Sequence, residues 1–222
     1  QCYVFSPLHF QDECYGYEAY AYESPENAGK LYMRWSMAID DVIMNILVKS
    51  KMKRAIDELE IMYIQDVMTG LFNRRGFEKY ARIQFMNARA RDSVVCVIGI
   101  DMDGLKPIND IYGHHEGDSA LRAVGYAIQE AAISGQIGAR IGGDEFCVLI
   151  DDHNTCDISH LISCLRKEEA VYNASSRNIH LQIACGYAVF DSRTDADLDA
   201  LQKRADQNMY ENKKQLKTFS YR

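Results

Sequence analysis

The segment SVVCVIGID at 93–101 limits what this chain can fold into more than any other: a nearly continuous apolar run that ends abruptly in acid. A strand with no polar face must be covered on both sides, so we expect a central strand in a sheet with helices packed against it. The neighbouring patterns agree. RRGFEKYARIQFMNARARD, just before the run, has apolar spacing suited to a helix, and helices are expected after it at 105–111 and 117–133. Strands at 137–141 and 145–150 flank Gly142 and Gly143, followed by a helix at 156–173, a strand at 179–190 and a last helix at 197–214. This order predicts an α/β (α+β) fold, a mixed sheet flanked by helices.

Two further segments precede it. Residues 1–27 are rich in tyrosine and read as two short strands, CYVFSPLHF and YGYEAYAYE, joined by QDEC. A hairpin this small is marginal alone, so we expect it to be the remnant of an upstream sensory domain. Residues 28–65 read as a helical connector, with Trp35, Ala38, Val42, Asn45, Lys49, Met52, Ile56 and Leu59 at alternating spacings of three and four. Asn45 and Lys49 interrupt that seam, which suits either a helix that pairs with a second copy or one packed on its own domain. Because the chain starts at Gln1 rather than methionine, we expect a piece of a longer protein.

Bulk composition narrows the function. With 222 residues, 47% hydrophobic and three prolines, the chain can bury a full core. A net charge of −7 without a long basic run argues against nucleic acid as a partner. Seven scattered cysteines with no CxxC pair point to a reducing cytoplasm, and no apolar stretch approaches membrane-spanning length.

The chemistry concentrates in two stretches. In ARIGGDEFCVLI at 139–150, Gly142 and Gly143 interrupt strand-like sequence and lead straight into Asp144 and Glu145. Such glycines allow a tight turn and close approach of a ligand to the backbone, although Gly-Gly before acids is also an ordinary hairpin turn. In IGIDMDGLKPINDIYGHHEGDSAL at 98–121, Asp101 and Asp103 stand where the buried strand ends and Gly104 lets the chain turn away. Carboxylates there can hold a hard divalent cation beside a triphosphate, with Asp101 and Asp144 as the candidate ligands; equally, they can be plain strand-end acids. Amides after the turn could cradle phosphate while Lys106 adds positive charge, or Lys106 could be a solvated surface lysine. Asn109 and Asp118 offer the donors and acceptors that complement a guanine edge. Their structural alternatives are helix termination for Asn109 and, for Asp118, capping of a helix at 119–133.

Together with DVMTGLFNRRGF at 66–77, these stretches resemble the signature blocks of the GGDEF diguanylate cyclase family. The resemblance implies that the sheet is palm-like and that 66–222 is a cyclase domain that condenses two GTP into cyclic di-GMP, with magnesium or manganese bound by Asp101, the Met102 carbonyl, Asp144 and Glu145. Asp101, Asp144 and Glu145 are then the catalytic acids. Gly104, Leu105 and Lys106 would hold the phosphates, Asn109 and Asp118 would bind guanine, and Gly142 and Gly143 would belong to the same substrate-binding set. ADQNMYENK at 205–213 is similar to the family's last-helix pattern and makes Lys213 a phosphate ligand, while Lys217 stands where relatives usually have arginine. Lysine keeps the charge and loses the bidentate fork.

Many relatives also carry an RxxD product site; here Ile133 and Gln136 occupy those positions, which predicts weak or absent feedback inhibition. Each domain would hold one GTP, so the implied enzyme is a homodimer. The alternatives are a catalytically silent GTP-binding sensor and a dimerising scaffold for which Asp144 would be dispensable.

Overall fold

The computed structural model describes residues 2–10, 13–23, 25–131, 136–151, 155–174 and 180–220. They form two compact units, residues 1–60 and 61–222.

In the first unit, β1 (Cys2–Phe10) and β2 (Glu13–Tyr22) make the expected antiparallel hairpin, with a bulge between Leu8 and His9. The strands run further into QDEC than the turn-like composition suggests, since Glu13 and Cys14 are paired. Tyr3, Phe5 and Tyr17 are exposed on it. Helix α1 (Pro25–Ile64) starts at a proline, whose fixed φ and missing N–H suit a first helical position. Val42, Met52, Ile56 and Leu59 of the seam are exposed along it.

The second unit contains β3 (Phe72–Asn73), α2 (Arg74–Ala90), β4 (Val95–Asp103), α3 (Leu105–Tyr112), α4 (His114–Glu130), β5 (Gln136–Arg140), β6 (Glu145–Asp151), α5 (Thr155–Asn173), β7 (Gln182–Val189) and α6 (Leu198–Ser220). The sheet order is β3-β5-β6-β4-β7, with β3 parallel to β5 and the other pairs antiparallel. The apolar run is β4, hydrogen-bonded on both sides by β6 and β7. Alternation then assigns its faces. Cys96, Ile98, Ile100 and Met102 pack in one core with residues of α3, α4 and α5. Val95 and Val97 pack in the other with Phe77, Ala81 and Phe85 of α2 and Leu198, Leu201 and Ala205 of α6.

As an edge strand, β7 could template aggregation, but helix side chains occupy its outer backbone groups. Asn173 exchanges hydrogen bonds with both the N–H and the carbonyl of Leu181, at 2.8 and 2.7 Å. Glu169 accepts from the Ile183 amide and Arg166 donates to its carbonyl. Further along, Asn212 accepts from the Cys185 amide and Asn208 donates to the Tyr187 carbonyl.

Burial pushes the Cys96 and Cys147 thiols up to about 12 and Cys185 up to about 11. Few of these groups are thiolates near neutrality, and the thiolate is the nucleophile. Alkylation of the folded chain at pH 8 is therefore expected to modify exposed Cys14 and to spare these three until denaturant is added; peptide mass mapping reads the difference.

Candidate active site

The odd-numbered residues of β4 beyond Val97 are Gly99, Asp101 and Asp103, so the face that began as core becomes acidic at its C-terminal end. Asp101, only 7% exposed, lies directly opposite Glu145 in the β4–β6 register. One residue on, the Met102 amide donates to the Asp144 carbonyl at 3.0 Å. The three expected catalytic acids thus meet at one end of the sheet, with Asp144 half-buried and Glu145 exposed.

Helix α6 reaches this end through two glycines that no motif singled out. Gly99 and Gly186 are register partners on β4 and β7. A methyl group on Gly186 would lie 1.9 Å from the Met209 amide nitrogen, and one on Gly99 would lie 3.0 Å from Asp206 Oδ1. The flat patch they make lets the α6 backbone rest almost on the sheet. One helical turn beyond Met209, Lys213 Nζ sits 2.5 Å from Asp101 Oδ1 and 3.7 Å from Asp103 Oδ1, and Lys217 Nζ sits 3.0 Å from Asp103 Oδ2. Burial opposes the Lys213 charge, but the hydrogen bond to Asp101 and the charges of Asp101, Asp103 and Asp144 outweigh it and raise its pKa. Asp206, on the same helix, has its carboxyl pKa raised by burial and then by Glu145. Helix α6 runs to Ser220, six residues past the expected end, and this extension carries Lys217.

After Asp103 the chain turns at Gly104, whose φ of 95° favours glycine, and α3 begins. The amides of Leu105 and Lys106 belong to its first turn and have no intrahelical acceptor. Pro107 follows where a missing N–H costs nothing. Asn109 does not terminate this helix, which continues to Tyr112. Nor does Asp118 cap the next one: α4 starts at His114, after Gly113 at φ 86°, and Asp118 lies inside it. The Asn109 side chain covers Gly117, where an added methyl would fall 1.8 Å from its Oδ1, so Asn109 is held beside the residue preceding Asp118. Gly117→Ala is expected to preserve the fold, since alanine favours a helix interior and an asparagine side chain can swing away. The displaced Asn109 should lower affinity for the GTP that the resemblance implies about tenfold, the scale of one lost charged or polar contact, as calorimetric titration would read.

The turn glycines act differently from expectation. Neither Gly142 nor Gly143 has positive φ, so conformational freedom does not explain them. A side chain on Gly142 would meet Glu145 Oε2 at 2.6 Å, whereas one on Gly143 would find nothing within 4 Å, leaving that backbone open to approach. Arg140 fixes the turn by donating to the Gly143 carbonyl at 2.7 Å and pairing with Asp66 at 3.3 Å. Asp66 also accepts from the Thr69 amide and hydroxyl. The DVMTG segment is therefore tied to the GGDEF turn, a role that needs long-range contact and cannot be read from spacing.

Asp101, Asp144, Glu145 and the Met102 carbonyl offer oxygen, the donor type that a hard divalent cation takes. Among the described residues no three His, Cys, Asp or Glu side chains converge as a closed metal cluster. At the product-site positions, Ile133 lies outside the described residues, and Gln136 opens β5 with its side chain donating to the Ile128 carbonyl at 3.1 Å.

Residues 63–218 match the family model for the diguanylate cyclase GGDEF domain, and the chain belongs to the GGDEF diguanylate cyclase family. It is 33% identical over 159 residues to the probable diguanylate cyclase DgcC of Escherichia coli K12, covering 70% of this chain and 42% of that relative. This chain therefore spans less than half of that relative's length. A crystal structure of the coiled coil and GGDEF domain of Caulobacter crescentus DgcB, in complex with c-di-GMP, shares the fold at TM-score 0.66 and 20% identity, over 83% of this chain and 94% of that one. The GGDEF domain of Pseudomonas aeruginosa TpbB (YfiN) aligns at TM-score 0.60 and 28% identity, over 68% and 89%. Divalent metal use is general in the family. Among the described residues, no helix is long and apolar enough to cross a membrane.

Proposed function

We propose that this chain is an active diguanylate cyclase, joining two GTP into cyclic di-GMP with release of two pyrophosphates. The observation that carries the reading is the meeting of Asp101, Asp144 and Glu145 with Lys213 at one end of the sheet, where Asp101 leads within three residues to the Gly104 turn. Lys106, Lys213 and Lys217, with the amides at Gly104 and Leu105, hold the triphosphate. Asn109 and Asp118 read the guanine edge, and the open backbone at Gly143 lets the phosphates approach. Magnesium or manganese, held by Asp101, the Met102 carbonyl and Asp144 with Glu145 completing the acidic pair, would neutralise phosphate charge and lower the pKa of the attacking hydroxyl. The 3′-hydroxyl of one GTP attacks the α-phosphorus of the other, and a second such displacement closes the ring.

One domain carries one set of these contacts, so two copies must face each other in a homodimer. The exposed seam of α1 supports residues 28–65 as the connector that pairs them, with 1–27 as the remnant of a sensory domain and 66–222 as the cyclase. A GTP-consuming enzyme whose described cysteines are free thiols belongs in the cytoplasm. Gln136 supports weak product feedback, because a neutral amide cannot replace the acid of an RxxD site.

Incubation with GTP and either metal, with products resolved by chromatography, tests the proposal. Cyclic di-GMP that disappears on chelation is expected; GTP bound but unchanged would favour the silent sensor.

A further inference from the structure

Four charges alternate between β4 and α6: Asp101, Lys213, Asp103 and Lys217. The match is geometric. Residues two apart on a strand are separated by about 6.7 Å, and residues four apart on a helix by about 6 Å. Asp103 sits in the middle of this row, with one carboxylate oxygen toward each lysine. Of these two lysines, Asp101 is paired with Lys213, and it is a candidate metal ligand.

We infer that Asp103 is a positioning residue for the nucleotide's phosphates, holding Lys213 and Lys217 at the Gly104 turn. The inference rests on the cyclase reading of this site. When Asp101 turns to a cation, Asp103 remains as the acid that keeps both ammonium groups beside the turn that follows it directly in the chain. Lys217 depends on it most, because its side chain is 54% exposed and lysine has no planar fork to orient it. Without Asp103, the Lys217 ammonium would sample solvent and meet the triphosphate only part of the time.

The test is calorimetric titration of the full chain with magnesium and α,β-methylene GTP, which cannot release pyrophosphate. Asp103→Asn, nearly isosteric, is expected to weaken binding about fivefold, and Lys217→Gln by a similar factor. The double variant should lose less than the two single losses combined, because Lys217→Gln already removes one of the two lysines that Asp103 holds. In turnover assays KM should rise while kcat changes less than about twofold, as for loss of uniform binding.

Unchanged or tighter binding by Asp103→Asn at wild-type melting temperature would overturn the inference, as would additive losses in the double variant. If Asp103→Asn melts early, Lys217→Gln, at an exposed helix position, decides alone: undiminished affinity overturns the inference. A wild-type chain that fails to bind the analogue overturns the cyclase reading with it. A binding wild type paired with insensitive variants overturns this inference only.

Discussion

Asp144→Ala is expected to fold as the wild type does and to form cyclic di-GMP at least about a thousandfold more slowly. The fold should survive because the structural contact of this residue is made by its main chain: the Asp144 carbonyl accepts from the Met102 amide, and alanine retains it. Activity should fall because the substitution removes one of the acids gathered at the end of β4 and β6, in a set where Asp101 is already paired with Lys213. Removing the carboxylate leaves Lys213 in excess and the proposed cation short of a ligand. GTP affinity should change little, since the proposed guanine and phosphate contacts lie on other residues. Initial rates of pyrophosphate release, beside thermal melts followed by circular dichroism, separate these two effects.

Gly186→Ala should do the reverse, damaging the fold first. Its added methyl would stand 1.9 Å from the Met209 nitrogen and 2.4 Å from Met209 Cα, and these are backbone atoms that cannot rotate away. Helix α6 must lift from the sheet. Overpacking of this kind costs about 3 kcal/mol, which for a domain of this size lowers Tm by about 6–12 °C. The same displacement would draw Lys213 away from Asp101, so residual folded protein should also bind GTP more weakly. Gly143→Ala is the control for stability: its methyl points into open space and its φ is not positive, so the melting temperature should stay within about 1–2 °C of wild type.

The contrast between these glycines marks how much of the molecule could be read beforehand. The central strand was legible because a continuous apolar run has few alternatives, and the place of Asp101, Asp144 and Glu145 at strand ends was legible because they break such runs abruptly. Gly99 and Gly186 were not, since their meaning depends on a register that pairs residues 87 positions apart. Asp103 shows the same limit: it was noticed at the strand end, but its lysine partners come from the last helix. The start of α4 was placed late because Gly113 and the histidines after it look like loop, and α6 was cut short where its sequence turns polar. Arg140 and Asp66 carried no local signal for the contact that joins them.

Central to this account is that the gathered acids and lysines catalyse cyclisation when two copies face each other. The direct measurement is chromatography, with mass detection, of the products formed from GTP and magnesium by the chain held as a dimer through a fused leucine zipper. Cyclic di-GMP with two pyrophosphates per ring, absent from the same dimer carrying Asp144→Ala, is the predicted result. An enforced dimer that binds GTP and leaves it intact would contradict the account and identify the domain as a nucleotide sensor.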